Sequence, residues 1–112
     1  MPMMFGFAQQ RRRLLETELE RIAAEVPPFG ALRMYAVGDL AAGAVRPETE
    51  LELVIVQITD APYHRRADFW VTHLRPRLGV RFLIYTPEEF EALAEVDPVL
   101  RDAQHAGRVV IG

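Results

Sequence analysis

A chain of 112 residues, half of them hydrophobic, is long enough for one compact domain and contains no apolar run long enough to cross a bilayer. The formal net charge of -3 argues against a general attraction to nucleic acid. Cysteine, serine and lysine are absent, which excludes disulfides, serine hydrolases and Schiff-base lysine enzymes and suits the cytoplasm. We therefore expect one cytoplasmic domain over residues 1–112, outside the membrane and without a nucleic-acid partner.

The first predicted element is a helix from about Ala8 to Val26. Four apolar residues recur there at helical spacing and form one stripe: Leu15, Leu19, Ile22 and Val26. Two consecutive prolines end the helix because neither can donate a backbone hydrogen bond. Residues 1–8 are expected to form an N-terminal tail. Its larger apolar side chains would cover an exposed part of the domain or meet another chain, and they are Met3, Met4, Phe5 and Phe7.

Three apolar segments separated by turns are predicted as strands. Ala31–Val37 is a short buried strand, and Glu50–Ile58 is apolar on both faces in its second half, as a central strand should be. Gly79–Tyr85 is the third strand. Residues Gly107–Gly112 end the chain as a candidate fourth strand.

Helices are predicted between and after these strands. One spans about Arg65–Arg75. Another begins with Thr86 as N-cap, Pro87 at the first helical position and Glu89 three residues after the cap, which is a capping box. Asp97, followed by proline, begins a last short helix in a similar way. The order of elements predicts a small α/β (α+β) domain in which helices pack on a mixed sheet.

The candidate site lies where the second strand begins. Glu50 and Glu52 point to the same face of a strand, with backbones roughly 6.5 Å apart, and such a carboxylate pair can hold one or two divalent cations. Upstream, Gly38 and Gly43 permit close backbone approach, and a turn rich in N–H groups can cradle phosphate oxygens. Each signal alone is weak, since paired glutamates often form a solvated edge and such glycines often form only a turn.

Taken together, the strand, the Gly-x-x-x-x-Gly segment, the Arg-Pro turn and the acid-x-acid start of an apolar strand resemble the minimal nucleotidyltransferases of the polymerase-beta superfamily. The family pattern is Gly-Ser, a further glycine, and Ser-Asp-x-Asp before an apolar strand. Its positions correspond here to Gly38-Asp39, Gly43 and Thr49-Glu50-Leu51-Glu52. The resemblance implies that Glu50 and Glu52 are catalytic and bind Mg²⁺. It also implies that the NTP contacts Gly38, Asp39, Gly43 and Thr49.

Several residues depart from that pattern. Asp39 replaces the serine that helps to hold the triphosphate, and an anion there repels a polyphosphate. Glutamates replace both metal-binding aspartates, and the added methylene makes octahedral magnesium geometry harder to meet. The third carboxylate is expected at about Arg81, whose permanent positive charge would take the place of the cation if it turned toward Glu50 or Glu52. We therefore expect a retained fold with little or no catalysis.

Three hypotheses of function follow. The first is a degenerate nucleotidyltransferase-like domain that acts by binding; the family resemblance suggests a helical partner of the HEPN type in a toxin–antitoxin-like module. The second is an active Mg²⁺-dependent enzyme that transfers a nucleoside monophosphate from an NTP to a protein or small molecule. The third is a structural homodimer. Arg65 and Arg66, at the start of the second helix, are candidate partner contacts, although a solvated role is more common for such residues.

Overall fold

The computed structural model describes the backbone of residues 2–112 and the side chains from residue 6 onward. In that part of the chain the helices are α1 (Pro2–Glu25), α2 (Asp39–Ala42), α3 (Tyr63–Leu74), α4 (Pro87–Leu93) and α5 (Pro98–His105). The strands are β1 (Ala31–Val37), β2 (Leu51–Gln57), β3 (Val80–Tyr85) and β4 (Arg108–Ile111). None of the described helices is long and apolar enough to cross a membrane.

The four strands form one mixed sheet in the order β3-β2-β1-β4. β1 pairs antiparallel with β2 and with β4, while β2 and β3 run parallel. A parallel pair needs a crossover connection, and α3 lies in the connection between β2 and β3. β2 is a central strand, which explains why its second half is apolar on both faces. This architecture confirms the predicted mixed α/β fold.

Helices cover both faces of the sheet. On one face, α1, the residue that follows it and α3 bury a set of large side chains against the strands: Leu15, Leu19, Ile22, Val26, Trp70 and Leu74. On the other face, Phe90 of α4 and Leu100 of α5 pack on strand residues that include Val54 of β2. Strand side chains alternate between faces, so Glu52 lies on the same face as Val54. The candidate site is therefore on the face covered by α4 and α5.

The first helix is longer than the sequence pattern predicts. α1 begins at Pro2 and not near Ala8, so the segment expected to be a tail is helical from residue 2. The side chains of Met3, Met4 and Phe5, predicted as part of an apolar cluster, lie outside the described residues; Phe7, the fourth member, is half exposed. The four-residue helix α2 and a 3-10 turn at Pro27–Phe29 were not predicted, because a single turn has no periodicity to detect.

The predicted starts of α4 and α5 are confirmed in detail. The Thr86 hydroxyl accepts a hydrogen bond from the Glu89 N–H at 3.2 Å, and the Glu89 carboxylate accepts one from the Thr86 N–H at 2.8 Å. Asp97 accepts from the N–H groups of Val99 and Leu100. These side chains satisfy backbone donors that have no partner within the helix.

Arg66 is a structural residue and not an exposed partner contact. Its guanidinium, 8% exposed, donates to both carboxylate oxygens of Glu89 at 2.5 and 3.1 Å and to the backbone oxygens of Ala61 and Ile84. Arg66 and the N–H of Thr86 hold the pKa of Glu89 at about 2. The hydrogen bonds join α3 to β3 and α4. Arg65, by contrast, is exposed as expected.

Candidate functional site

The site is built where β1 ends and β2 begins. Val37, the last residue of β1, pairs with Glu52 near the start of β2. Glu52 is partly buried, whereas Glu50 precedes the strand and is exposed. The chain between these strands contains α2 and the loop that carries Thr49. The structure therefore brings the predicted residues Gly38, Asp39, Thr49, Glu50 and Glu52 to one end of the sheet.

Gly38 is required both by its backbone and by its surroundings. Its φ of 75° and ψ of -149° lie in a region that side-chain-bearing residues rarely adopt. A Cβ atom at this position would lie 2.6 Å from Oε2 of Glu52. Gly43 has a left-handed φ of 71° at the end of α2, but its surroundings are open. The Glu52 carboxylate thus rests directly over the backbone of Gly38.

The two glutamates direct their carboxylates toward different strands. Glu52 leans over Gly38, at the end of β1, whereas Glu50 lies against Gly79, just before β3. In the sheet, β1 and β3 are on opposite sides of β2. The two carboxylates therefore diverge across the sheet, and because Glu50 precedes β2, alternation along the strand fixes the face of Glu52 alone.

Asp39 is held by its own loop. Its Oδ2 accepts a hydrogen bond from the Thr49 hydroxyl at 2.9 Å and lies 3.3 Å from Nη2 of Arg46. The Thr49 hydroxyl also accepts from the Arg46 N–H at 2.8 Å, and Nε of Arg11 donates to the Thr49 carbonyl oxygen at 2.7 Å. Thr49 is 5% exposed. Both predicted nucleotide contacts, Asp39 and Thr49, therefore stabilise the loop after α2 and the attachment of α1 to it.

Arg81 occupies the strand position beside Glu52. The two residues are register partners in the parallel pair of β2 and β3 and point to the same face. The Arg81 side chain is exposed. Among the described residues, no ion pair within 4.0 Å joins Arg81 to Glu50 or Glu52, so the predicted contact between this guanidinium and the acidic pair is not formed.

Glu50 and Glu52 are two carboxylates without a third acidic or histidine ligand grouped with them among the described residues. In the described part of the chain, no group of three or more His, Asp or Glu side chains is placed to hold a metal ion. The two glutamates diverge, and the neighbouring strand carries the Arg81 guanidinium at the position where the resemblance implies a third carboxylate. The predicted roles of Glu50 and Glu52 in metal binding and catalysis stay predictions that this geometry does not favour.

A cleft of about 230 Å³ opens beside Gly38, between α2 and α5. Its lining is mostly small and apolar, with one carboxylate: Val37, Gly38, Ala41, Ala42, Asp102, Ala106 and Gly107. Asp102 was not singled out by the sequence, because it approaches the loop only through the packing of α5. The Arg-Pro turn that carries Arg46 and the basic run Arg11–Arg13 are visible in the sequence, but their contacts with Asp39 and Thr49 depend on the tertiary structure.

Comparison with known proteins supports the fold. No protein-family model matches the chain, and no curated protein matches it. The chain is similar to the crystal structure of a "putative nucleotidyltransferase" from Sulfolobus solfataricus, solved at 1.40 Å resolution. The TM-score is 0.56 at 15% sequence identity, over 94% of this chain and 83% of the other. The protein therefore has a nucleotidyltransferase-like fold, and identity this low carries the likeness no further than the fold.

Proposed function

We propose that this protein is a nucleotidyltransferase-fold domain that has lost nucleotide transfer and acts by binding another protein. The observation that carries the proposal is the register of Arg81 with Glu52. A permanent cation then stands beside the acidic pair, on the strand where a third carboxylate ligand is expected. The likeness to the solved structure supports a nucleotidyltransferase-like fold. The charges of Arg81 and its neighbours argue against nucleotide transfer.

The negative charges around Gly38 support the same proposal. Asp39 adds a negative charge next to Gly38, and its hydrogen bonds with Thr49 and Arg46 are internal to the loop. Glu52 brings a second carboxylate against Gly38. A polyphosphate approaching this backbone would lie beside two carboxylates, of which, among the described residues, only Asp39 is paired with a cation, Arg46, and like charges at this range repel.

The partner class comes from the family resemblance. Small proteins of the family that this chain resembles are often paired with helical proteins of the HEPN type in toxin–antitoxin-like modules, and we propose a helical partner of this kind here. A structural homodimer is the remaining non-enzymatic proposal.

A second function, an active Mg²⁺-dependent nucleotidyltransferase, is favoured by two observations. Arg81 forms no ion pair with Glu50 or Glu52, so the acidic pair is not neutralised within the described residues. The cleft of about 230 Å³ beside Gly38 also gives a ligand access to the loop. An NTP, Mg²⁺ and an acceptor would be required.

Thermal melting with ATP and MgCl₂ and incorporation of labelled nucleotide separate the two proposals. A ligand at a hundred times its dissociation constant stabilises a protein by about 2.7 kcal/mol, so binding gives a visible shift. We expect no shift and no incorporation. Incorporation that is lost in Glu52→Ala and kept in Glu91→Ala, an exposed glutamate of α4, contradicts the binding proposal.

A rebuilt variant tests the physical cause. Arg81→Asp combined with Asp39→Ser restores the acid and removes the anion at the loop, and we expect it to gain a Mg²⁺-dependent shift with ATP. The matched control is Arg65→Asp combined with Asp68→Ser, which makes the same chemical changes at exposed positions of α3. A shift of equal size in the control would mean that net charge alone explains the result.

A further inference from the structure

The first half of α1 lies beyond the core that its second half covers. The buried stripe of α1 begins only at Leu15. The described side chains before it are exposed or half-buried, and they include Phe7 at 51% and Leu14 at 47% exposure. A helix that packs no apolar face is marginal in water, because most helical stability in proteins comes from packing. Residues 6–14 of α1 therefore lack the apolar cover that stabilises the rest.

An apolar groove begins in this half of α1 and continues along the helix as far as Arg21. Phe7 and Leu14 are seven residues apart, which is close to two helical turns, so they lie on the same side of α1. Leu14 and Leu78, in the segment before β3, line a groove of about 260 Å³. A neighbouring depression lined by Phe7, Gln10 and Arg13 continues it toward the start of the helix. From residue 6 to residue 21 the surface is about 22 Å long at 1.5 Å per residue, enough for several turns of a second helix.

The charge of the groove is positive. Arg13 and Arg77 line it, and among the described residues neither forms an ion pair within 4.0 Å. The one carboxylate in the lining, that of Glu18, is only 4% exposed and accepts hydrogen bonds from Arg21 and from the Arg77 N–H. The protein as a whole carries a net charge of -3. Of the three cations in the described lining, Arg21 is paired with Glu18 and Glu25, which leaves Arg13 and Arg77 to face a partner, with no accessible carboxylate in the lining.

We propose that this groove binds an amphipathic helix of a partner protein, with apolar residues every three or four positions and Asp or Glu along its flanks. The proposal rests on the proposed binding function, and it specifies the surface and the chemistry of the partner. Apolar side chains of the partner contact Phe7, Leu14 and Leu78, and its carboxylates pair with Arg13 and Arg77. Helix-in-groove binding of this kind uses anchors at helical spacing. The apolar floor favours a protein helix over a nucleic acid, whose affinity depends on phosphate contacts.

Fluorescence anisotropy with synthetic peptides tests this surface. The probe is a labelled peptide of about 18 residues, roughly five helical turns, with Leu at helical spacing and Glu on both flanks. A second peptide has Lys in place of Glu, and a third has the residues of the first in scrambled order. We expect the acidic amphipathic peptide to bind about tenfold more tightly than either, with affinity that falls as salt is raised.

Matched variants locate the binding. Gln10→Glu combined with Arg13→Glu reverses the charge of the groove, and we expect binding about tenfold weaker, with partial recovery for the Lys peptide. The control combines Arg101→Glu and Gln104→Glu on α5. Both pairs are exposed, three residues apart on a helix, and change the net charge equally. Leu14→Gln is compared with Leu93→Gln, a half-exposed leucine of α4, and only the first is expected to weaken binding.

Three outcomes overturn the inference: equal binding of the acidic and scrambled peptides, an equal loss in both double variants, and tighter binding of a single-stranded RNA than of the acidic peptide. Sedimentation that finds a dimer of the wild-type chain, lost in the Gln10→Glu and Arg13→Glu variant, assigns the groove to a second copy instead. The proposed loss of nucleotide transfer is tested separately: incorporation of labelled nucleotide that depends on Glu52 would contradict it. Neither double variant changes a residue of that site, so the two failures are distinguishable.

Discussion

At the scale of single residues, two glycines in the segment between β1 and β2 have similar φ angles but different neighbours. Gly38 lies under the Glu52 carboxylate, whereas Gly43 has open space around it. Gly43→Ala should cost about 1 kcal/mol for the left-handed backbone alone. Gly38→Ala should cost about 3 kcal/mol, because its ψ lies farther from any conformation that alanine adopts and Glu52 must also move. Urea denaturation measures both, and equal costs would mean that neither the ψ of Gly38 nor its contact with Glu52 adds to the cost.

The two glutamates Glu50 and Glu52 show what the sequence could and could not predict at the site. Alternation along β2 fixes the face of Glu52, whereas Glu50 precedes the strand, so its place on the same face stays a prediction. The direction in which each carboxylate turns depends on Gly38 and Gly79, which are distant along the chain and meet β2 only in the sheet. Arg66 is a similar case, since its charge predicts exposure and its burial depends on α4 supplying Glu89.

At the scale of elements, the predictable features are those with a local cause. β1 matches its predicted limits because glycine stands at both ends of an apolar run, and α4 begins where its capping box predicts. α1 was predicted too short because its first turn contains no acidic residue to mark the start. The sequence patterns do not predict the hydrogen bonds from Arg66 to Glu89, which join α3 to α4.

The prediction at the scale of elements concerns the hydrogen bonds of Arg66. Arg66→Met removes the donor to Ala61, Ile84 and Glu89 together, so it should lower the free energy of unfolding by about 3 kcal/mol. Arg65→Met removes an equal charge from the exposed neighbouring position and should change it by no more than about 0.5 kcal/mol. Chemical denaturation of the two variants checks this. Similar effects would show that the buried hydrogen bonds of Arg66 do not stabilise the packing of α3 on β3 and α4.

At the scale of the whole molecule, carboxylates that join distant segments set the response to acid. Arg66, with the Thr86 N–H, holds the pKa of Glu89 at about 2, below its ordinary value of 4.5. The hydrogen bond from Arg21, with that of the Arg77 N–H, lowers the pKa of Glu18, which joins α1 to the segment before β3. A carboxyl group whose pKa is lower in the folded state binds fewer protons than in the unfolded chain. Its contribution is therefore complete above pH 4.5 and is lost as the pH falls toward the folded-state pKa.

The free energy of unfolding should accordingly decrease between about pH 4.5 and pH 2, and more gently in Glu89→Gln, because that variant no longer has the carboxylate that must be protonated. Glu91→Gln changes an exposed glutamate on the same helix, so its pH profile should follow the wild type. Urea denaturation at a series of pH values measures all three. Since the Glu89 side chain is 38% exposed, added salt should reduce the difference between Glu89→Gln and the wild type. Parallel profiles for Glu89→Gln and the wild type would show that acid sensitivity arises elsewhere. The hydrogen bonds between Arg66 and Glu89 would then not determine the stability of the fold in acid.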